Sequence, residues 1–182
     1  APVGGFFSEY TEGASNNKYL EIFNGTGEVL SLGNFGFPSV SNAPATPGEY
    51  EYWNSFTEGA TINPGGVYVI AHPSAFDAIL AEADQTHQYL SNGDDGYCLV
   101  YGTEDNYALV DCIGDYQADP GSGWAVAGVE DATKDHTLVR KPGMVSGNMG
   151  NWATSAGTDA ETSEWSVIDL VFSHVLDENG DP

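Results

Sequence analysis

The sequence predicts an all-β sandwich built as one domain. Short runs rich in β-branched and aromatic residues recur along the chain, and turn-forming residues separate them. The 182 residues include 23 glycines and 9 prolines, which suits many short strands and tight turns. This length fits one full-sized domain, so we assign residues 1–182 to it, with a flexible arm at 1–5 and an acidic tail at 176–182.

The first strands are predicted over residues 7–10 and 19–24, joined by a polar loop. Short strands follow at 29–32 and 35–40. Large aromatic and polar residues alternate over 50–56, which predicts a strand packed on one face.

Residues 67–71 form the most strongly β-prone run of the chain. One short helix is expected to follow. Ser74 is a candidate N-cap with Asp77 three residues later, and Phe76, Ile79 and Leu80 fall on one face.

The two cysteines, Cys98 and Cys112, lie in apolar runs on either side of the polar segment 102–106. Folding a hairpin about Asp105 places the two residues directly opposite each other, close enough for a disulfide. We favour this bond over two buried thiols, and a disulfide indicates an oxidising, extracellular environment.

The last third of the chain is richer in turns. Strands are predicted at 137–141 and 167–175. Four apolar residues are expected to anchor this part of the core: Trp124, Val126, Trp152 and Trp165. No apolar run approaches the roughly 18 residues of a membrane span, so no membrane insertion is expected.

The chain is strongly acidic, with 27 acids against four bases and a net charge of -23. Four scattered bases cannot form the basic face that nucleic acids or anionic membranes require. Two interpretations of the acidity remain open: a surface kept soluble in salty water, or a surface that gathers divalent cations.

Catalysis is not predicted. The four histidines are far apart, and Asp135-His136 has no serine in a nucleophile context to complete a triad. Glu9 and Glu21 lie on paired strands and could approach each other like a glycosidase carboxylate pair, but we favour carboxylates that face solvent or bond to the backbone and Lys18.

Two acidic segments are candidate calcium sites because calcium prefers oxygen ligands. One contains Asp94 and Asp95, and the other contains Asp177, Asn179 and Asp181. A solvated turn and a frayed chain end are the alternative interpretations.

Asn24 begins the one N-glycosylation sequence, Asn-Gly-Thr, and is expected at a turn that tolerates a glycan. The alternative is an ordinary Asn-Gly turn.

Six segments in the same order resemble the lamin tail domain, in the type attached to secreted bacterial and marine proteins. They are the opening hairpin, residues 67–83, the acidic turn 92–95, Asp111-Cys112-Ile113-Gly114, residues 137–141 and Glu164-Trp165. The resemblance covers residues 6–174 and implies a non-catalytic, immunoglobulin-like β-sandwich with one short helix. Such domains are commonly fused to a nuclease or phosphoesterase, and no such unit is recognised in these 182 residues.

We therefore expect a secreted or cell-surface structural or interaction module without enzymatic activity. In one hypothesis it binds a protein partner or self-associates through strand edges into a layer, filament or matrix. In the other it is an accessory module that anchors a secreted hydrolase or nuclease to a surface or polymer. The aromatic residues of 50–56 would then stack on carbohydrate, although core packing explains them too.

Overall fold

The fold is a β-sandwich of one six-stranded and one four-stranded sheet, which confirms the predicted all-β sandwich class. The structure is a computed structural model that describes residues 4–170. The described strands and helices, in chain order, are β1 (Gly5–Glu12), β2 (Lys18–Asn24), β3 (Leu30–Ser31), β4 (Phe35–Gly36), β5 (Ser39–Val40), β6 (Thr61–Ile62), β7 (Val67–Ala71), α1 (Asp77–Leu80), β8 (Gln85–Thr86), β9 (Gly96–Thr103), β10 (Asn106–Ile113), β11 (His136–Arg140), α2 (Trp152–Ala156) and β12 (Trp165–Asp169).

The six-stranded sheet has the order β12-β11-β1-β2-β7-β8. Neighbouring strands are antiparallel except β7 and β8, which are parallel. The predicted hairpin of β1 and β2 lies at its centre. Alternate residues of β2 are fully buried, as expected for a strand with one face on the core.

The second sheet is arranged around β9, which pairs with β10 on one side and with the short strands β4 and β5 on the other. Large side chains of both sheets meet between the layers and form the main core. Its fully buried members include Phe7, Ile22, Leu99, Leu138 and Trp165. β3 and β6 form a separate two-stranded ribbon.

A second apolar cluster covers the outer face of the four-stranded sheet. Tyr97 and Leu99 of β9 point into the main core, so the alternate residues Cys98 and Val100 point outward. Tyr116 packs on Cys98 and Val100, together with the partly buried aromatic rings of Tyr50, Trp53 and Tyr107.

The predicted disulfide between Cys98 and Cys112 is confirmed and lies in this outer cluster. The predicted centre of the hairpin is wrong, because Thr103 pairs with Asn106 and only two residues form the turn. If the pairing of Thr103 with Asn106 continued without interruption, Cys98 would lie opposite Asp111. A β-bulge between Leu109 and Asp111 shifts the pairing by one residue and brings the two cysteines into register.

Residues 50–56 do not form the predicted strand. They make only isolated bridges, between Ser39 and Tyr52 and between Gly36 and Ser55. Pro38 lies between β4 and β5 and has no N–H to continue a ladder, so regular pairing stops there. Tyr52 is exposed, whereas Phe56 joins the main core.

The predicted helix is shorter than expected. α1 is a four-residue helix whose N-cap is Phe76, without a side-chain cap, and Phe76 is exposed. Ser74 does not cap it, because the helix begins two residues later than this cap requires, and the Ser74 N–H donates to His72 Nδ1 in the preceding turn.

The described residues contain a second helix, α2, that was not predicted. It is capped by Asn151, whose side chain accepts a hydrogen bond from the Thr154 N–H. The core anchors Val126, Trp152 and Trp165 are buried as predicted, and Trp124 packs half-buried against them.

The predicted strand 137–141 corresponds to β11. The predicted strand 167–175 corresponds to β12, which begins at Trp165. Its part beyond residue 170 lies outside the described residues, as do the acidic tail and residues 1–3 of the arm.

Candidate functional site: a tyrosine-lined groove

Side chains far apart in sequence line a groove of about 1020 Å³ on the described residues. Its walls come from the β1–β2 loop, from the segment around Tyr52 and from the loop after β8 that contains Tyr89. We call it the Tyr52–Tyr89 groove after its two exposed aromatic rings.

Tyr52 has a fixed backbone and an exposed ring. Its N–H donates to the Ser39 carbonyl at 3.0 Å, and its own carbonyl accepts from the Ser39 N–H at 2.9 Å. Ser39 belongs to β5, so these bonds attach Tyr52 to the four-stranded sheet. The Tyr52 side chain nevertheless remains 57% exposed.

Tyr89 is arranged in the same way. Its carbonyl accepts a hydrogen bond of 2.7 Å from the hydroxyl of Tyr97, a buried residue of β9. Its ring is 77% exposed and lies 6.0 Å from the imidazole of His87. The centre of that imidazole lies 5.4 Å from the ring centre of Phe37, a core residue, so the groove wall beside Tyr89 packs against the core.

Lys18 is the only lysine or arginine among the described residues that line the groove, and its charge is neutralised. Its Nζ lies 3.0 Å from Glu12 Oε1 and donates to the Ser91 carbonyl at 2.8 Å and to Asn92 Oδ1 at 2.6 Å. The ammonium is therefore a buried structural group rather than a free cation.

Two carboxylates hold the loop 41–45 beside the groove. Glu51 accepts from the N–H groups of Ser41 and Ala45, and Asp95 accepts from the Asn42 N–H at 3.1 Å. Burial raises the pKa of Asp95 to about 6, opposed by the Asn42 hydrogen bond, while Asp94 and Glu51 add to the increase.

The imidazole of His87 adds no positive charge at neutral pH. Burial lowers its pKa from the ordinary value, and His72 lowers it further. Because Lys18 is paired with Glu12, the carboxylates determine the sign of the field in the groove. They are Glu51, Asp95 and Glu104.

Asp94 and Asp95, the predicted calcium ligands within residues 4–170, do not belong to a cluster of metal-ligating side chains. Asp95 is occupied with the loop 41–45, and residues 4–170 contain no group of three or more metal-ligating side chains. Asp177, Asn179 and Asp181 lie outside the described residues. Calcium binding thus stays a prediction.

The expected position of Asn24 at a turn open to a glycan is wrong. Asn24 is completely buried, and its Nδ2 donates to the carbonyls of Glu28, Ile62 and Asn63. Its Oδ1 accepts from the N–H and hydroxyl of Thr26. Asn24 therefore joins β2 to the loops beside it, and a glycan on Nδ2 would break these bonds.

Glu9 and Glu21 are direct cross-strand partners, as their paired strands predict. Each accepts a hydroxyl hydrogen bond, Glu9 from Tyr19 at 2.8 Å and Glu21 from Ser8 at 2.7 Å. Burial raises the pKa of Glu21, and the charge of Glu9 raises it further.

The Asp135-His136 dipeptide does not assemble a triad. The His136 ring contacts the Lys134 carbonyl and the Asp169 carboxylate.

The sequence analysis offered the aromatic residues of 50–56 as contacts for sugars, with core packing as the alternative. Tyr52 and Trp53 of that segment line the groove, whereas Tyr89 carried no comparable signal. Tyr89 stands in a polar segment after β8, and only its long-range bond to Tyr97 places it in the wall.

Comparisons of the chain with protein-family models, with curated proteins and with solved structures give no match. No helix within residues 4–170 has the length and apolar character needed to cross a membrane.

Proposed function

We propose that this chain is a non-catalytic extracellular interaction module that binds its partner in the Tyr52–Tyr89 groove. The observation that carries the proposal is the pairing of a fixed backbone with an exposed ring at both tyrosines. Scattered exposed apolar residues are common on protein surfaces. Two exposed aromatic rings that project from fixed backbones into one concave surface are typical of a ligand site.

The extracellular assignment is supported by the Cys98–Cys112 bond, because such bonds persist in oxidising compartments. The acidity supports it as well, since a net charge of -23 favours solubility in saline surroundings. The resemblance to secreted lamin tail domains leads us to propose membership of that family. An accessory role, anchoring a secreted hydrolase or nuclease to a surface or polymer, follows from that resemblance.

Self-association is a second candidate function, and β12 favours it. β12 is the edge strand of the six-stranded sheet, and no strand among residues 4–170 pairs with its outer side. Ile168 on this strand is 48% exposed. Unpaired edges add strands from other chains, so a second copy would extend the sheet here.

Two measurements on the purified chain test these functions. Light scattering in seawater-like salt should show a monomer for the binding module, whereas polymers would favour self-association. In the second measurement, the chain is mixed with insoluble extracellular polymers, and the fraction of the protein removed from solution is determined. This fraction should be smaller for Tyr52→Ala and Tyr89→Ala than for the wild-type chain. Phe76→Ala is the matched control, because Phe76 is 68% exposed but does not line the groove. Equal depletion by all four proteins would contradict binding in the groove.

A further inference from the structure

We infer that the ligand of the Tyr52–Tyr89 groove is a neutral polysaccharide chain; this inference rests on the proposed function and specifies its ligand. A sugar ring presents a face of C–H groups surrounded by hydroxyls. It therefore fits a surface that combines exposed aromatic faces with hydrogen-bonding side chains.

The aromatic part of this surface consists of Tyr52 and Tyr89, with Trp53 and His87 beside them. Both tyrosine backbones are held by hydrogen bonds, so little backbone freedom is lost when a ligand stacks on the rings. Tyrosine itself has only two side-chain torsions, which keeps the entropic cost of ordering its ring low.

The polar part can bond the hydroxyls of a sugar. The exposed side chains of Gln88, Asn92 and Glu104 line the same groove. Amides donate and accept hydrogen bonds, and a carboxylate accepts them. A sugar hydroxyl does both, so it can pair with any of the three.

The charged side chains that line the groove favour a neutral polymer over an anionic one. Glu51, Asp95 and Glu104 line the groove, while the ammonium of Lys18 is occupied by Glu12, Ser91 and Asn92. An anionic polymer would enter a negative field in which the described lining residues offer no unpaired lysine or arginine, and the net charge of -23 opposes its approach. Sulfated and uronic polysaccharides and nucleic acids are thereby disfavoured.

A basic peptide is the alternative that this field would attract, but two of the three carboxylates already have partners. Glu51 is held by Ser41 and Ala45, and Asp95 by Asn42, all through backbone N–H groups. These acids hold the loop 41–45, and their ability to bind an incoming ammonium is reduced accordingly.

The size of the groove indicates a chain rather than a single sugar. A volume of about 1020 Å³ reaches the upper end of the range for sites that enclose drug-sized ligands. The groove is partly open to solvent, so a polymer can enter it without its ends being buried.

Affinity electrophoresis tests the inference. The chain is run in native gels that contain β-1,3-glucan, hydroxyethyl cellulose, galactomannan or xylan, and in gels that contain alginate, dextran sulfate or DNA. We expect retardation by at least one neutral polymer and by none of the polyanions. Tyr52→Ala and Tyr89→Ala should each weaken the retardation about threefold to tenfold, the size of one aromatic contact.

Further variants separate stacking from other effects. Tyr52→Phe and Tyr89→Phe keep the ring and should bind within about twofold of the wild-type chain, and Phe76→Ala should bind like wild type. Thermal melts of all variants should agree, because exposed substitutions change stability by at most about 0.5 kcal/mol.

Each remaining outcome is informative. No retardation by any neutral polymer overturns the glycan assignment. Tyr52-dependent binding to a polyanion, or to an oligolysine peptide in a parallel titration, also overturns it but leaves the groove as a binding site. Retardation that is unchanged in both alanine variants overturns the glycan assignment to this groove and the proposed function together.

Discussion

Arg140 Nη2 lies 2.9 Å from both carboxylate oxygens of Asp111, and both side chains are buried between the two sheets. Asp111 belongs to β10 and Arg140 to β11, so this ion pair joins opposite layers of the sandwich. The Asp111 carboxylate also accepts from the N–H of Phe7, while the guanidinium carbon lies 4.3 Å from the Trp165 ring.

Asp111→Ala should destabilise the domain by about 3–5 kcal/mol, because the buried guanidinium of Arg140 loses its closest carboxylate and the N–H groups of Phe7 and Asn148 lose their acceptor, while Glu164 remains 3.5 Å from Arg140. Urea unfolding followed by tryptophan fluorescence measures the effect. Lys134→Met removes an exposed base and should change the free energy of unfolding by at most about 0.5 kcal/mol. A loss below about 1 kcal/mol in Asp111→Ala would contradict the importance of this ion pair.

Reduction of the Cys98–Cys112 bond should lower the free energy of unfolding by about 3 kcal/mol, the loop-closure contribution expected for two residues separated by 14 positions. The decrease in melting temperature should be larger in low salt, where a chain of net charge -23 repels itself more strongly. Calorimetry with and without reductant measures it. Two alkylated cysteines in unfolded, unreduced protein would show that the bond is absent.

Asp95 should make stability decrease as the pH rises. Its pKa is about 6 in the folded chain against an ordinary value of 3.8. Between these values the folded state keeps a proton that the unfolded state has released, so raising the pH favours unfolding. Asp95→Asn retains an acceptor for the Asn42 N–H without the charge.

The melting temperatures of wild type and Asp95→Asn should therefore be similar near pH 4, and the variant should become more stable by pH 7. Thermal melts across this range at fixed salt provide the measurement. A difference between the two proteins that does not vary with pH would contradict the assignment of the raised pKa to Asp95.

Glu21→Gln should stabilise the domain at pH 7 by up to about 1 kcal/mol, because it removes a like-charge pair from directly opposite strand positions. Gln keeps an acceptor for the Ser8 hydroxyl. The gain should shrink at low pH, since the raised pKa of Glu21 means that the folded carboxyl is protonated first.

Denaturant unfolding in low and high salt measures this gain, which screening should reduce. Glu28→Gln serves as the control on an exposed glutamate. An equal effect of the two substitutions would show that the reduction in net charge, rather than the Glu9–Glu21 pairing, causes the change.

Local patterns in the sequence predicted the sandwich well. The β1–β2 hairpin, β7 and the cysteine hairpin are each encoded by neighbouring residues, whose alternation and turns determine which face is buried. The disulfide was predicted from a hairpin whose pairing register differs by one residue from that at the observed turn, and the bulge beside Val110 restored the pairing. A bulge depends on packing between strands and leaves little trace in the sequence.

The groove was harder to predict because its residues meet only in the folded chain. Tyr89 is placed by the Tyr97 hydroxyl, and Tyr52 by β5, a strand of two residues that follows Pro38. At Asn24, by contrast, a clear local signal led to a wrong prediction of exposure. Its sequence indicates an exposed turn, yet its amide donates to three carbonyls, one from β6 and two from neighbouring loops.

The most direct test of the central claim, that the Tyr52–Tyr89 groove is the binding site, is a nuclear magnetic resonance titration. Short fragments of the neutral polysaccharide that retards the chain most are added to isotope-labelled protein. We expect the largest shifts at backbone amides of residues 39–41, 52–54 and 87–92, with the signals of β12 unchanged. Shifts concentrated on β12, or spread without relation to the groove, would contradict the claim.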